Sequence, residues 1–188
     1  MIYLADLLAS TGARPQTRDF PERFSRFCVD ADSASQGDLY FARNGEGHLH
    51  IGKALQAGAS AAFCENWNGS PNAPILIVPD TGSAIQMYAE FAIRNFGSKI
   101  VALGRRSRSD ASTTRLISEI LSTRFDVFRP AEPMTDSSDL WLSFGALHPG
   151  HDLALIDFSG YSRGLVEEFI DVIPPDVCLL LPSVDNGP

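Results

Sequence analysis

Apolar positions recur along this chain in two distinct periods, and the switches between them mark the elements. Four apolar residues in a row, Ile100–Leu103, predict a buried strand. After a polar stretch, Leu116, Ile117, Ile120 and Leu121 recur at helical spacing and predict a helix over Thr113–Leu121 that buries that face. The run Leu153–Phe158 is apolar almost without a break between polar turns, the pattern of a strand covered on both faces in a parallel sheet. Val177–Leu181 carries the same pattern and the same expectation of burial. Between them, Gly164–Val172 reads as a helix stopped by Pro174-Pro175, and a further helix is expected around Leu140–Leu147.

The first half is cut more finely. Met1–Ser10 reads as a short amphipathic helix, and Thr11–Asp19 as a polar loop. Phe27–Val29, Asp38–Ala42, Ala61–Cys64 and Ile75–Val78 are expected strands. Ile51–Ala57 is an expected helix with Gly58 as its stop, and Ser83–Phe96 a second, with Ile85, Tyr88, Ala89, Ala92 and Phe96 on one face. Gly97-Ser98 then reads as a hinge. Two domains are expected, residues 1–97 and 98–188: a small α/β domain, then a parallel-sheet, Rossmann-like one.

Composition narrows the function classes. The 188 residues carry a formal net charge of −8, which argues against a general binder of nucleic acid or anionic membrane. No apolar run approaches the ~20 residues of a membrane span, and the start does not read as a signal peptide, so a cytoplasmic protein is expected. Cys28, Cys64 and Cys178 lie in apolar segments at wide spacing and read as buried free thiols.

Strand, polar turn and helix over Ile100–Leu121 form the setting in which a helix N-terminus holds phosphate. A phosphate loop of the G-x-x-x-x-G-K-[ST] kind needs glycines to wrap the phosphates and a lysine to reach the terminal ones. Here Gly104 stands alone before Arg105, Arg106, Ser107, Arg108, Ser109 and Asp110. The arginines, with Arg115, suit either an anion or a solvated basic turn. Thr113 and Thr114 suit either magnesium-binding hydroxyls or helix caps, with capping the favoured role. His148 and His151 flank Pro149-Gly150 without a third ligand nearby in sequence, so no metal site is expected there.

The segment Val29–Phe63 resembles the N-terminal domain of the Mur ligases, the ATP-dependent enzymes that add amino acids or dipeptides to UDP-N-acetylmuramate. The resemblance rests on Asp30, Gln36-Gly37-Asp38, Phe41-Ala42, Gly45, Glu46-Gly47-His48, Ala54 and Gly58-Ala59, in that order. Ile75–Asp80 with Thr81 is similar to the family's strand before the last helix of that domain, and the tripeptide-adding and dipeptide-adding branches are nearest in character. Ile100–Leu121 is similar to the ATP-binding strand, loop and helix. His151–Val184 resembles the segment whose strand ends at a metal-binding glutamate, with Asp157 at or beside that place.

Departures from the family shape the expected function. The ATP loop lacks its lysine, with Asp110 near where it should stand, and Asp32 replaces an arginine expected on the uridine side. The resemblance therefore implies a non-catalytic Mur-ligase-like protein of peptidoglycan precursor metabolism, with a truncated, degenerate central domain. It implies no catalytic residue, no cofactor, and Asp157 as the one vestigial metal candidate. A UDP compound, a UDP-sugar or UDP-muramoyl peptide, is expected to bind weakly near Asp30, Asp32, Ser33, Ser35, Gly45, Gly47 and His48. A protein partner of the cell-wall machinery is also expected. The alternative is a diverged, split or truncated ligase using ATP and magnesium.

Overall fold

In the computed structural model, the described residues are 1–43, 46–105, 111–130, 137–159 and 161–181, with backbone alone at 46, 105 and 111. They fall into two compact units. Unit 1 comprises Met1–Ala92 with Trp141–Ala146, and unit 2 the other described residues from Ile93 onward.

Unit 1 opens with strand β1 (Ile2–Tyr3) and helix α1 (Leu4–Thr11), so the first helix starts later than its periodicity suggests. Strand β2 (Arg14–Pro15) lies inside the expected polar loop, and β3 (Arg23–Phe24) pairs antiparallel with β1. Two-residue strands contain too few positions to show alternation, which is why sequence pattern misses them. Strands β4 (Phe27–Cys28), β5 (Leu39–Phe41), β6 (Ala61–Cys64) and β7 (Ile75–Ile77) run parallel. With β2 antiparallel on β7 they give the order β2-β7-β6-β5-β4. A 3-10 turn, Glu46–His50, leads from β5 into α2 (Ile51–Ala57). Gly58, at φ +123°, closes α2 with its N–H on Ala54 O (3.1 Å). Helix α3 (Thr81–Phe96) buries Ile85, Tyr88, Ala89 and Ala92 as its spacing predicts. Tyr88 meets Phe27 edge to face, ring centroids 5.7 Å apart.

Unit 2 is built on a parallel sheet of β8 (Lys99–Arg105), β9 (Val127–Phe128), β10 (Leu153–Asp157) and β11 (Val177–Leu181), in the order β11-β8-β10-β9. Helix α4 (Ala111–Ser122) follows β8, and α6 (Arg163–Val172) comes before β11; α5 (Ser137–Ser143) and a 3-10 turn (Phe144–Ala146) precede β10 along the chain, their residues from Trp141 on belonging to unit 1. Ser162 caps α6, its hydroxyl accepting from Leu165 N–H (3.3 Å). The architecture is α/β with a parallel sheet.

Two burial expectations are overturned. Strand β11 is not buried: Leu180 is 86% exposed, and Val177, Cys178 and Leu179 are exposed as well. It is the terminal strand in the order, so among the described residues β8 alone pairs with it. An apolar run reports what a strand can bury, not where it falls in a sheet. On α4, Leu116 and Ile120 are exposed, whereas Thr114 and Ser118 are buried. The helix rests on Val101, Leu103 and Leu155 through Ile117 and Leu121. Its buried stripe is rotated from the expected one because Thr114 has a polar partner beneath it.

Candidate functional site

Parallel strands present their carboxyl ends together, and α/β proteins bind ligands there. In unit 1 the carboxyl ends of β5 and β6 border a cleft of about 570 Å³. Ala42, Arg43, His48 and Leu49 line it from the β5 side, and Cys64, Glu65, Asn66, Trp67, Asn68 and Gly69 from the β6 side. The lining offers a guanidinium, an imidazole, a carboxylate, a thiol, two carboxamides and an indole.

Each wall is held from beneath. Gly47 lets the 3-10 turn lie on the β5 backbone, since a Cβ there would come within 2.9 Å of the Ala42 carbonyl carbon. Tyr40 donates its hydroxyl to Gly47 O (3.2 Å) and fixes the same turn. On the other wall, Trp67 donates its indole N–H to Ser70 O (2.9 Å), and Gly69 gives the ring room. Glu65 Oε1 accepts from Thr81 N–H (2.9 Å) and from the Thr81 hydroxyl (3.0 Å), so its carboxylate caps α3. Burial pushes the Cys64 thiol up to about 11, so it stays protonated at neutral pH.

The residues singled out from sequence divide. His48 lines the cleft, and Gly47 supports it. Gly45 lies outside the described residues. Asp30, Asp32 and Ser33 form a turn after β4 and are not among the cleft-lining residues. Asp30 Oδ1 accepts from Asp32 N–H (3.1 Å), and the Ser33 hydroxyl donates to Asp30 O (3.2 Å). Asp32, which stands where the resemblance expects an arginine, faces Lys53 of α2, Nζ to Oδ1 2.6 Å, so its negative charge has a cationic neighbour. Ser35 sits at the opposite, amino end of β5. There its N–H and hydroxyl donate to Asp38 Oδ2 (3.1 and 3.0 Å), and Arg26 Nη2 donates to the same carboxylate at 3.0 Å. Asp38 is 2% exposed, and these donors are what make a buried carboxylate tolerable.

Sequence reading missed Arg43, Trp67 and the asparagines. Arg43 directly follows the Phe41-Ala42 landmark, a signal within reach. The 66–69 loop reads as an ordinary Asn/Gly connection until β6 is seen beside β5.

In unit 2, Gly104 and the Arg105 backbone belong to β8. Arg106, Ser107, Arg108 and Asp110 lie outside the described residues. Thr113 borders an open depression on α4 with Ser112, Arg115, Leu116 and Glu119. Thr114 points inward, and its hydroxyl donates to Asp157 Oδ2 at the end of β10. Asp157 Oδ1 accepts from Ser159 N–H (2.8 Å). The fold thus joins two residues, 43 positions apart, that sequence named separately.

No family model matches the chain. Relatives and solved structures do. It is 22% identical over 94% of its length to the UDP-N-acetylmuramoyl-tripeptide–D-alanyl-D-alanine ligase of Bacillus subtilis. It is 29% identical over 84% of its length to the ligase of the same name from Synechocystis. The fold superposes on MurF of Acinetobacter baumannii with a TM-score of 0.81 at 18% identity, covering 95% of this chain. It also superposes on MurF ligase of Thermotoga maritima, determined in complex with ADP, with a TM-score of 0.67 at 24% identity, covering 84%. The chain is Mur-ligase-like in sequence and in fold. It spans 39% and 36% of the two curated ligases' lengths, and 40% and 37% of the two crystallised chains.

Proposed function

We propose that this Mur-ligase-like chain is a non-catalytic binding protein of peptidoglycan precursor metabolism in the cytoplasm. It holds a UDP-linked compound, a UDP-sugar or a UDP-muramoyl peptide, in the unit 1 cleft, and it serves a protein partner of the cell-wall machinery. The observation that carries this reading is the cleft itself. Arg43 and His48, both from the chain just after β5, face a wall of Asn66, Trp67 and Asn68 from the carboxyl end of β6. A guanidinium suits a diphosphate, carboxamides suit the donor–acceptor edge of uracil, and an indole excludes water from one side.

The non-catalytic part of the proposal rests on the sequence from the end of β8 to the start of α4. Gly104–Asp110 contains one glycine and no lysine. Ligation through an acyl phosphate needs a triphosphate held in line and its charge neutralised. A carboxylate near the γ-phosphate opposes that by about 4 kcal/mol at 4 Å in an effective dielectric of about 20. The ligase alternative draws support from the Thr114–Asp157 hydrogen bond, which keeps a hydroxyl and a carboxylate together beside β8.

Calorimetry with UDP, a UDP-muramoyl peptide and magnesium-ATP tests the proposal. Weak heat with the two uridine compounds and none with ATP is expected. Micromolar magnesium-dependent ATP binding, or ATP turnover with a UDP-muramoyl substrate, would establish the ligase instead.

A further inference from the structure

The turn His148-Pro149-Gly150-His151 of unit 2 carries two imidazoles that neither site above uses. It closes with His151 N–H donating to His148 O (3.0 Å). The two rings stack, centroids 3.7 Å apart and planes 27° from parallel. Each ring also receives a backbone donor: His148 N–H donates to Nδ1 of His151, and Gly150 N–H to Nδ1 of His148, both at 3.1 Å. A ring nitrogen that accepts from N–H carries a lone pair, so each neutral imidazole holds its proton on Nε2. We infer that this turn is a proton-sensitive clasp, closed while the His151 imidazole is neutral and opened when it takes up a proton.

Protonation has only Nδ1 to go to, because Nε2 is already protonated. The new N–H would then face a backbone N–H, replacing a hydrogen bond by two opposed donors. Double protonation would add two stacked cations. Among the described residues of this unit, the titratable groups facing His151 are His148 and Asp126, with Asp126 Oδ1 3.9 Å from His151 Nε2. A further ring neighbour, Phe128 of β9, is apolar, its centroid 5.5 Å away. Burial foremost, then His148 and the N-terminal ammonium, holds the His151 imidazole below its ordinary value of 6.5, against the opposing pull of Asp126 and of a hydrogen bond with the His148 backbone. The closed turn is therefore fully favoured above about pH 6.5 and weakens as pH falls toward the lower value of the closed form.

Opening would reach the sheet. His151 O accepts from the Ser98 hydroxyl (2.8 Å), and Asp152 O accepts from Lys99 N–H (2.9 Å). These bonds tie the amino ends of β8 and β10, its two central strands. A cation site is the competing use of this cluster, since ligand atoms of Asp126, His148 and His151 lie within 4.8 Å of one another. A metal-bound imidazole directs its second nitrogen, as N–H, at an acceptor. Here both Nδ1 atoms meet donors, so the geometry points to the clasp.

The test uses the whole chain. Two-bond nitrogen–proton spectra report which ring nitrogen holds the proton, and amide exchange at His148 and Gly150 reports closure. Expected are Nε2–H tautomers at neutral pH, a His151 midpoint below 6.5, and protection factors that fall several-fold between about pH 7.5 and 5.5. In the double variant His148→Asn, His151→Asn the amide oxygens supply acceptors that do not titrate, and protection should stay level over that range. An Nδ1–H tautomer on either ring, or level protection in the wild type, would overturn the inference. So would an equal fall in the double variant, or stoichiometric zinc shifting both rings' resonances at neutral pH. The tautomer measurement needs only the wild type, so it decides even where the variant fails to fold.

Discussion

The Thr114 hydroxyl donates to Asp157 Oδ2 and joins the first turn of α4 to the carboxyl end of β10. Thr114 is 2% exposed, so neither water nor a mobile side chain readily replaces it. Thr114→Val keeps the shape and removes one donor from the carboxylate. The expected loss is about 1–3 kcal/mol, because the bond lost is one to a half-buried carboxylate. Thr114→Ser should keep most of the stability. Urea unfolding of the three proteins checks both expectations.

Thiol reactivity should follow exposure and not the apolar setting of each cysteine. Cys178 is exposed on β11, while Cys28 and Cys64 are buried. A disulfide reagent at neutral pH should modify Cys178 promptly. Cys64, raised to about 11 by burial, should react only on unfolding. A time course with and without denaturant, resolved by peptide mass, gives the order.

Asp176 sets an acid limb of stability. Its carboxylate accepts from Ile100 N–H (2.9 Å) and from Lys99 Nζ (3.0 Å), and the backbone bond foremost holds its carboxyl below the ordinary 3.8. A depressed carboxyl stabilises the fold above its unfolded value and loses that contribution as pH falls through the folded one. Wild type should therefore lose stability below about pH 4, and Asp176→Asn should show a shallower loss there. Thermal melts across that range, compared between the two proteins, decide it.

Legibility in the sequence followed the length and regularity of each element. α3, β8, β10 and the glycine stop of α2 were readable because many positions share one period or one residue has one conformational task. Burial of β11 was not readable, since nothing local distinguishes an edge strand of Val-Cys-Leu-Leu-Leu from a central one. Nor was the α4 face, where the partner that draws Thr114 inward comes from 43 residues away. For the site, local landmarks located His48 and Gly47. The opposing wall at Asn66–Gly69 depends on β6 lying beside β5, a pairing that sequence pattern does not specify. Asp30 to Ser35 read as one contiguous cluster, yet the chain crosses the sheet within it and leaves Ser35 at the far end.

Binding of a uridine diphosphate in the unit 1 cleft is the central claim, and an amide-shift titration with UDP, run beside magnesium-ATP, tests it most directly. UDP shifts are expected at Arg43, His48, Leu49 and Cys64–Gly69, with an affinity of about 100 μM or weaker. ATP should leave Thr113 and Thr114 unmoved. UDP shifts absent from the cleft, or ATP shifts at the start of α4 at micromolar concentration, would contradict it.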